Sequence, residues 1–495
     1  MAGVLAALAA GNALAQADVQ PAARIEPFAT VTETLTDSYN AGATSKSADS
    51  VTQLTGGLAV RGRSAHVRGF LDYALTQVIY LRHGSENKLQ HALNANGQAD
   101  LLDGRLLLDA GANISRQAVS AFGSGATESD RVNGNTVETR TLRLAPTLRG
   151  QFNGVLNYRT QFGWVDTRAS GGGIGSNTGT SASLNVSPVQ RSQLNWAGDL
   201  FHATNDYDGA RSITSDRAYG TAIMDIESLD LQLRGSGGVE SSNYASASRE
   251  KHTTWGAGLV WEPSPRTRVD AMLERRAYGN SHQLSAQYRT PRTAWSLTSS
   301  RSLDQSNGAQ TGSLGTAYNL FAAQLSSAYP DPAQRDAAVV ALLQRFGIPA
   351  NAAVNIGYLT AATTVTDRLE FSAVWQAARD AATFTLARID SRRVDTLSSV
   401  IDDLSRSAAV HTRQASLTLS HQLYPGSLLS VTGALSNASG DGAGQRNNSR
   451  QVNATWTHPL GRYVSGLLTL RRSVTDTDAS SNTENALVAS VNARF

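Results

Sequence analysis

The side chains of this chain that could do chemistry are mostly arginines, set at short, largely even spacings from one another or from an acid. Arg68 precedes Asp72; Arg143, Arg149 and Arg159 share odd numbering; Arg268, Asp270, Glu274 and Arg276 form an even-numbered run; Arg289 and Arg292 follow, then Arg368 with Glu370. All but three of the 43 Lys and Arg residues are arginine, the exceptions being Lys46, Lys88 and Lys251. A guanidinium holds carboxylate, sulfate or phosphate through two parallel N–H donors. Residues two apart share a face of an extended chain, so these positions describe a strip of cations and acids among Asn, Gln, Ser and Thr. Such a strip either offers weak, repeated contacts to a hydrophilic polymer or pairs across neighbouring strands and stiffens the wall that carries it.

Other chemistry is poorly represented. Cysteine is absent, which excludes thiol catalysis, cysteine-ligated zinc and a disulfide framework. The nine His are scattered without H-E-x-x-H spacing, and G-x-S-x-G does not occur. The glycine clusters at 171–175 and 440–444 sit in polar stretches with no strand-to-helix context for a phosphate. We therefore expect no enzyme, no cofactor and no metal site, although a barrel enzyme assembling its site across strands is an alternative. The net charge of +3 without a basic tail gives no reason to expect nucleic acid.

The elements that carry the arginines alternate with a period of two. In 63–81, Val67, Leu71, Tyr73, Leu75 and Ile79 oppose Arg68, Asp72 and Thr76. Phe152, Leu156, Tyr158, Phe162 and Trp164 oppose Asn157, Arg159 and Gln161, and Trp255, Ala257, Leu259 and Trp261 line another face. Leu369, Phe371, Ala373 and Trp375 oppose Arg368, Glu370 and Gln376; Ala415, Leu417, Leu419 and Leu423 continue the theme. There are about 22 such segments, within a range of roughly 18 to 24. Mean hydropathy is −0.27, too polar for membrane helices, and beyond the first dozen residues no apolar run nears the roughly 20 residues a spanning helix needs. A strand that meets lipid on one face only has no such requirement. The expected fold is all-β: a transmembrane up-and-down antiparallel β-barrel, with the apolar faces on lipid and the thirteen Arg, Asp and Glu residues named first lining the lumen.

Connections alternate between tight and long. Arg61-Gly62, Leu102-Asp103, Gly150, Glu262-Pro263-Ser264-Pro265, Pro291, Tyr424-Pro425-Gly426 and His458-Pro459 read as short periplasmic turns; 120–134, 166–180, 394–407, 437–446 and 473–482 read as outer loops, with Gly279-Asn280-Ser281 as one short exception. Residues 1–17 resemble a signal peptide without its basic start, leaving 18–495 as the barrel. Within it, 304–364 is an outer insertion holding a helix that Asp331 caps, Pro332 begins and Gly347 stops. Alternation already under way by Ile25 leaves no room ahead of it for the plug of over a hundred residues that a receptor-type transporter would need. The chain closes on Leu487, Ala489, Val491, Ala493 and Phe495, one apolar face ending in an aromatic. That ending resembles the closing strand of bacterial outer-membrane barrels, whose aromatic end the barrel assembly machinery reads.

A more specific resemblance runs through the middle of the chain. Trp261-Glu262-Pro263-Ser264-Pro265-Arg266-Thr267, Arg276-Ala277-Tyr278-Gly279 and Tyr288-Arg289-Thr290-Pro291-Arg292-Thr293-Ala294-Trp295 are similar to the PEP-CTERM-system-associated outer-membrane β-barrel proteins, found with exosortase and exopolysaccharide genes. Ile25-Glu26-Pro27-Phe28, Leu144-Ala145-Pro146-Thr147-Leu148-Arg149 and Asp331-Pro332-Ala333-Gln334-Arg335 extend it. Tyr278 and Pro291 depart from the family's usual Phe and Arg. The resemblance implies an outer-membrane location and a part in exopolysaccharide production or export. The expected function is a pore for exopolysaccharide export, with outer-membrane lipid, the polymer and periplasmic export proteins as partners; the alternative is a non-conducting barrel that anchors such partners.

Overall fold

A computed structural model describes residues 23–124, 128–170, 176–190, 192–304, 358–360, 362–395, 397 and 401–495, with Ala322, Leu325, Arg335, Ala338 and Val339 of the insertion. Twenty-two strands make one antiparallel sheet. The first eleven are β1 (Ala23–Thr36), β2 (Asp49–Arg63), β3 (Val67–Tyr80), β4 (Lys88–Asp100), β5 (Leu106–Ala118), β6 (Thr136–Phe152), β7 (Leu156–Ala169), β8 (Asn177–Pro188), β9 (Leu194–Tyr207), β10 (Ile213–Ile226) and β11 (Leu231–Ser242). The rest are β12 (Glu250–Ser264), β13 (Thr267–Arg276), β14 (Gly279–Arg289), β15 (Thr293–Asp304), β16 (Thr364–Gln376), β17 (Asp380–Arg393), β18 (Ala409–Tyr424), β19 (Ser427–Gly440), β20 (Arg446–Pro459), β21 (Val464–Thr477) and β22 (Ser481–Arg494). Each pairs with its chain neighbour, and β1 pairs with β22 from Phe28–Arg494 to Thr36–Ala486, so the sheet closes.

Register carries one chemistry around each face. Leu35, Leu487, Leu470, Ala454, Val431, Leu419, Ala382 and Trp375 stand opposite one another in turn across β1 and β22 back to β16. One residue away on the other face, Thr469, Thr455, Ser430 and Ser420 make the matching row. The apolar row is exposed and has nothing packed on it, Leu470 being 61% and Val431 40% accessible. The polar face is the concave one. Arg217 on β10 reaches Glu274 on β13 at 2.6 Å, across two intervening strands, which requires side chains that converge. That reach crosses a bare wall: a Cβ at Gly256 or Gly258 would lie within 3 Å of Met272.

The start of β1 and the C-terminal Phe495 lie at the end with the short turns, and an aromatic girdle faces outward there. Phe152, Trp196, Trp261, Tyr288, Trp295, Trp375, Tyr424 and Trp456 are all exposed near those turns, and Phe495, whose amide donates to Pro27 O at 2.9 Å, completes the ring. Aromatic residues favour the membrane–water boundary because an apolar body carries a polar edge.

Several boundaries differ from those the sequence suggests. The strand expected from 63 starts at Val67, after a turn in which Ser64 N donates to Val67 O at 2.7 Å. Arg61-Gly62, Gly150, Glu262 to Ser264 and His458-Pro459 lie inside β2, β6, β12 and β20. A turn of a few residues need not interrupt two-residue alternation, so the pattern does not mark its ends. The polar stretches 166–180, 437–446 and 473–482 shrink to 170–176, 441–445 and 478–480. There the strands continue beyond the apolar belt, both faces meet water, and Ser, Asn, Asp and Thr suffice. The tight outer hairpin is real: Ala277 and Tyr278 alone separate β13 from β14, with Gly279 at φ +108°.

The insertion runs between β15, ending at Asp304, and β16, starting at Thr364. The expected caps at Asp331, Pro332 and Gly347 lie outside the described residues, but Arg335, Ala338 and Val339 are helical and Val339 is fully buried. A helix the sequence reading placed in a loop is α1 (Asp403–Arg406), begun by a capping box between Asp402 and Ser405. Residues 1–17 lie outside the described residues.

If the two faces are assigned correctly, Val431→Arg should lower the unfolding free energy in liposomes by about 2–4 kcal/mol, the cost of a cation at mid-bilayer. Thr432→Arg, one residue away and inward, should change it by less than about 1 kcal/mol on the same scale. Urea titrations of the two variants check this.

Candidate functional site

The inner wall is where the expected residues gather. Tracing the register around the sheet puts Arg68, Asp72, Arg143, Arg149, Arg159, Arg268, Asp270, Glu274, Arg276, Arg289, Arg368 and Glu370 on the concave face. Arg292 is not on the wall. It lies in the turn between β14 and β15, where its carbonyl accepts from Gln376 N at 2.9 Å. Leu487, Ala489, Val491 and Ala493 share the outward face of β22, opposite Leu35, Glu33, Val31 and Ala29.

Most of the wall charges are engaged with one another. Arg276 grips Glu240 through two bonds of 2.9 Å, and Arg217 takes Glu274 at 2.6 Å. Arg61 pairs with Asp72 at 2.8 Å, Arg368 with Glu370 at 3.4 Å and Arg268 with Glu262, while Arg68 donates to Gln98. Arg149 and Arg289 donate to the turn carbonyls of Gly104 and Pro265. Arg63, Arg143 and Arg159 are exposed on the concave face and make no side-chain hydrogen bond or ion pair. From β15 around to β3 the wall is chiefly hydroxyl and amide. Thr385–Ser416 at 2.6 Å, Thr418–Thr432 at 3.1 Å, Thr455–Thr469 at 3.0 Å and Thr55–Thr76 at 2.8 Å are representative.

A feature that sequence reasoning missed lies at the outer end. In the connection between β5 and β6, residues 119–124 and 128–135 turn into the barrel and meet inward-facing residues on both sides of the β1 seam. Gln53 donates to Ser129 Oγ at 2.8 Å and Lys88 to Arg131 O at 2.9 Å; across the seam, Gln451 donates to Glu128 at 3.0 Å and Asn447 to Gly123 O at 2.6 Å. Its anchor is a closed set of four charges. Arg471 binds Asp130 at 2.8 Å and Glu484 at 2.7 Å, and Arg131 lies 3.5 Å from Glu484 and 2.8 Å from Asn482. Glu484 is completely buried and Arg131 is 2% exposed. Two cations and two acids cancel, which lets them be buried together, whereas removing one member strands a charge at about 3–5 kcal/mol.

Neighbouring loops complete the cap. Val132 exchanges backbone hydrogen bonds with Tyr39 and Ala41, and Leu359 N donates to Ala118 O at 3.0 Å. Arg211 pairs with Asp395 at 3.1 Å. Asp403 on α1 accepts from Ala121 N at 2.6 Å and Ser120 Oγ at 2.8 Å. Burial pushes the Asp403 carboxyl above the usual carboxylate range despite those two bonds, with the neighbouring charge of Asp402 adding to the shift. No local motif announces these contacts. The only hint is Arg471-Arg472, since adjacent strand residues must point to opposite faces.

Among the described residues no group of three or more His, Asp or Glu is placed to hold a metal. No family model matches the chain, and no curated protein matches it. Solved structures do. The ferric enterobactin receptor of Pseudomonas aeruginosa is 10% identical over 96% of this chain and 82% of its own, with a TM-score of 0.50. The FrpB iron transporter from Neisseria meningitidis is 11% identical over 95% and 82%, at 0.48, and the siderophore receptor PirA from Pseudomonas aeruginosa 9% over 96% and 81%, at 0.45. At such identities the likeness is one of fold. With the belt, girdle and closed sheet, it makes this protein a β-barrel of the bacterial outer membrane.

Glu484→Ala should release the 119–135 loop, and trypsin cleavage after the normally buried Arg131 should rise by about a hundredfold or more, the equivalent of a buried pair broken on one side. The cap should also respond to pH. A carboxyl whose folded-state pKa is raised binds its proton more tightly in the closed cap than in the opened one. Closure therefore strengthens as pH falls through the folded value toward the unfolded one, and weakens as pH rises. Hydrogen exchange at Ala121, corrected for intrinsic rate, should be slower at pH 5 than at pH 7.5, and Asp403→Asn should abolish the difference.

Proposed function

We propose that the protein is a non-enzymatic, loop-capped pore that passes an exopolysaccharide across the outer membrane, in the pathway that its sequence resembles. The observation that carries this reading is the character of the inner wall. A barrel of 22 strands is wider than its own side chains can fill, so its interior must hold water, a ligand or a folded segment. The lining is a long run of hydroxyls and amides, with Arg63, Arg143 and Arg159 facing the space without partners. Such groups exchange hydrogen bonds with a polymer's hydroxyls and carboxylates one at a time, and none binds tightly enough to stop its passage. The paired charges around Arg276 and Glu240 hold the wall in shape. The cap at the outer mouth makes conduction conditional on loop movement.

Planar-bilayer recording tests this. Wild-type barrel should conduct weakly, Arg471→Ala should conduct more because its cap anchor is broken, and purified exopolysaccharide added from the periplasmic side should block the variant. Arg143→Ala with Arg159→Ala should weaken the block without closing the pore. A variant that neither conducts nor binds glycan would leave an anchoring barrel in its place. Tight binding of a ferric siderophore at the outer mouth, with no glycan block, would replace export with receptor function of the kind named for the structural neighbours.

A further inference from the structure

The outward face is not uniform at its outer edge. Elsewhere on the circumference most arginines above the apolar belt have an acid: Arg140 lies 2.8 Å from Glu138, Arg168 2.8 Å from Asp166 and Arg301 3.3 Å from Asp367, while Arg275 bonds Asn280. Between β17 and β21 the balance changes. Arg388, Arg392, Arg413, Arg450 and Arg472 all point outward by register. The outward acids above the belt on these strands are Asp390, which Arg388 and His411 already share, and Asp476, which accepts from Ser481. Arg413 and Arg450 are exposed, and among the described residues their side chains have no hydrogen-bond or ion-pair partner. Arg388 and Arg413 stand directly opposite each other, a placement that destabilises a sheet unless an anion comes between.

Arg388, Arg413, Arg450 and Arg472 also lie close to one height, with Arg392 two steps above them. The register row through Arg413 passes Asn437, Asn448 and Asp476 and ends at Ser481, the tip of the last hairpin, so rows climb toward the loops as strand number rises. At a strand tilt of about 40° the climb is about 3 Å per strand, and a two-residue step down a strand drops about 5 Å. Arg450 is two strands on and one step down from Arg413; Arg472 is three strands on and two steps down. The descent cancels the climb. Just beneath run Leu386, Leu417, Leu435, Val452 and Leu470, all exposed.

A level row of uncompensated guanidinium groups seated on an apolar belt lies where lipid headgroups meet acyl chains. We infer that this strip docks a multiply acylated glycolipid of the outer leaflet that carries two phosphate groups. Arg413 and Arg450 are two strands, roughly 10 Å, apart, a span suited to two phosphates on one saccharide headgroup. Asn437 lies on the strand between them and donates to Asn448, one step above Arg450, and the pair's remaining amide groups can serve sugar hydroxyls. The five apolar columns below accept several acyl chains side by side. Phosphate is the anion that arginine binds in bidentate fashion.

Native mass spectrometry of the detergent-solubilised barrel tests the assignment, with bisphosphorylated hexa-acyl lipid A, its dephosphorylated form and phosphatidylglycerol as probes. Wild type should bind the bisphosphorylated probe best. Arg413→Gln with Arg450→Gln should weaken that binding by about thirtyfold, since each cation near a lipid surface contributes about fivefold. Arg140→Gln with Arg301→Gln, outward arginines that have acids, should leave it unchanged. Heat-modifiable mobility in gels establishes that each variant is folded, and Arg413→Lys with Arg450→Lys, which keeps the charge and loses the fork, should weaken binding to a lesser degree. Equal binding by wild type and the Gln variant, or phosphatidylglycerol bound as well as lipid A, would overturn the inference.

Discussion

A chain that crosses lipid as strands must satisfy every backbone N–H and C=O within the sheet, because the hydrocarbon offers no partner. The pairing of β1 with β22 meets that requirement. Once Phe28 to Thr36 is bonded to Ala486 to Arg494, no edge remains, and the strands from Ala23 to Arg494 form one continuous wall. Everything else is placed by that closure. It defines an outside and an inside, assigns alternate residues to each, and brings the start of β1 and the end of β22 together at one end and the long loops to the other.

The two faces then obey different rules. Outside, the residues need only be apolar in the middle and suited to the boundaries at the edges: aromatic near the turns, arginine near the loops. Inside, polar groups must find one another or water. They do so by short-range pairs such as Arg276 with Glu240 and by rows of hydroxyls, and at the outer end through a loop that folds inward. That loop can bury four charges because they sum to zero and because Asn482, Ser473 and Thr36 supply further hydrogen bonds to Arg131 and Glu484. Such a cap is firm while complete and opens when one member is lost. It suits a passage that must stay shut to the outside and yet open for cargo.

The sequence shows the wall better than the cap, for a physical reason. Strands such as β3, β16 and β18 place Leu, Phe or Trp at every second position, because lipid contact demands it, and the register then puts Arg68, Arg368 and Glu370 inward as their numbering requires. Where the outer face is wet the demand lapses, so the upper parts of β7, β19 and β21 read as loops. Arg292 has the opposite parity to Arg289 and sits beside Pro291 in the turn between β14 and β15, so two-residue alternation carries no information about where it points. The cap was illegible because its partners are remote: Asp130 and Arg471 meet 341 residues apart in sequence, through a loop path that no local pattern encodes.

The most direct test of the two-sided wall uses the absence of cysteine from the chain. Single cysteines placed in turn at positions 414 to 423 along β18 can be labelled in liposomes with a charged, water-soluble thiol reagent and, separately, with an apolar maleimide. Strict alternation is the result this account requires, with the even positions labelled from water and the odd ones only by the apolar reagent. Uniform labelling along the strand, or the reverse parity with Leu417 and Leu419 reached from the lumen, would contradict it.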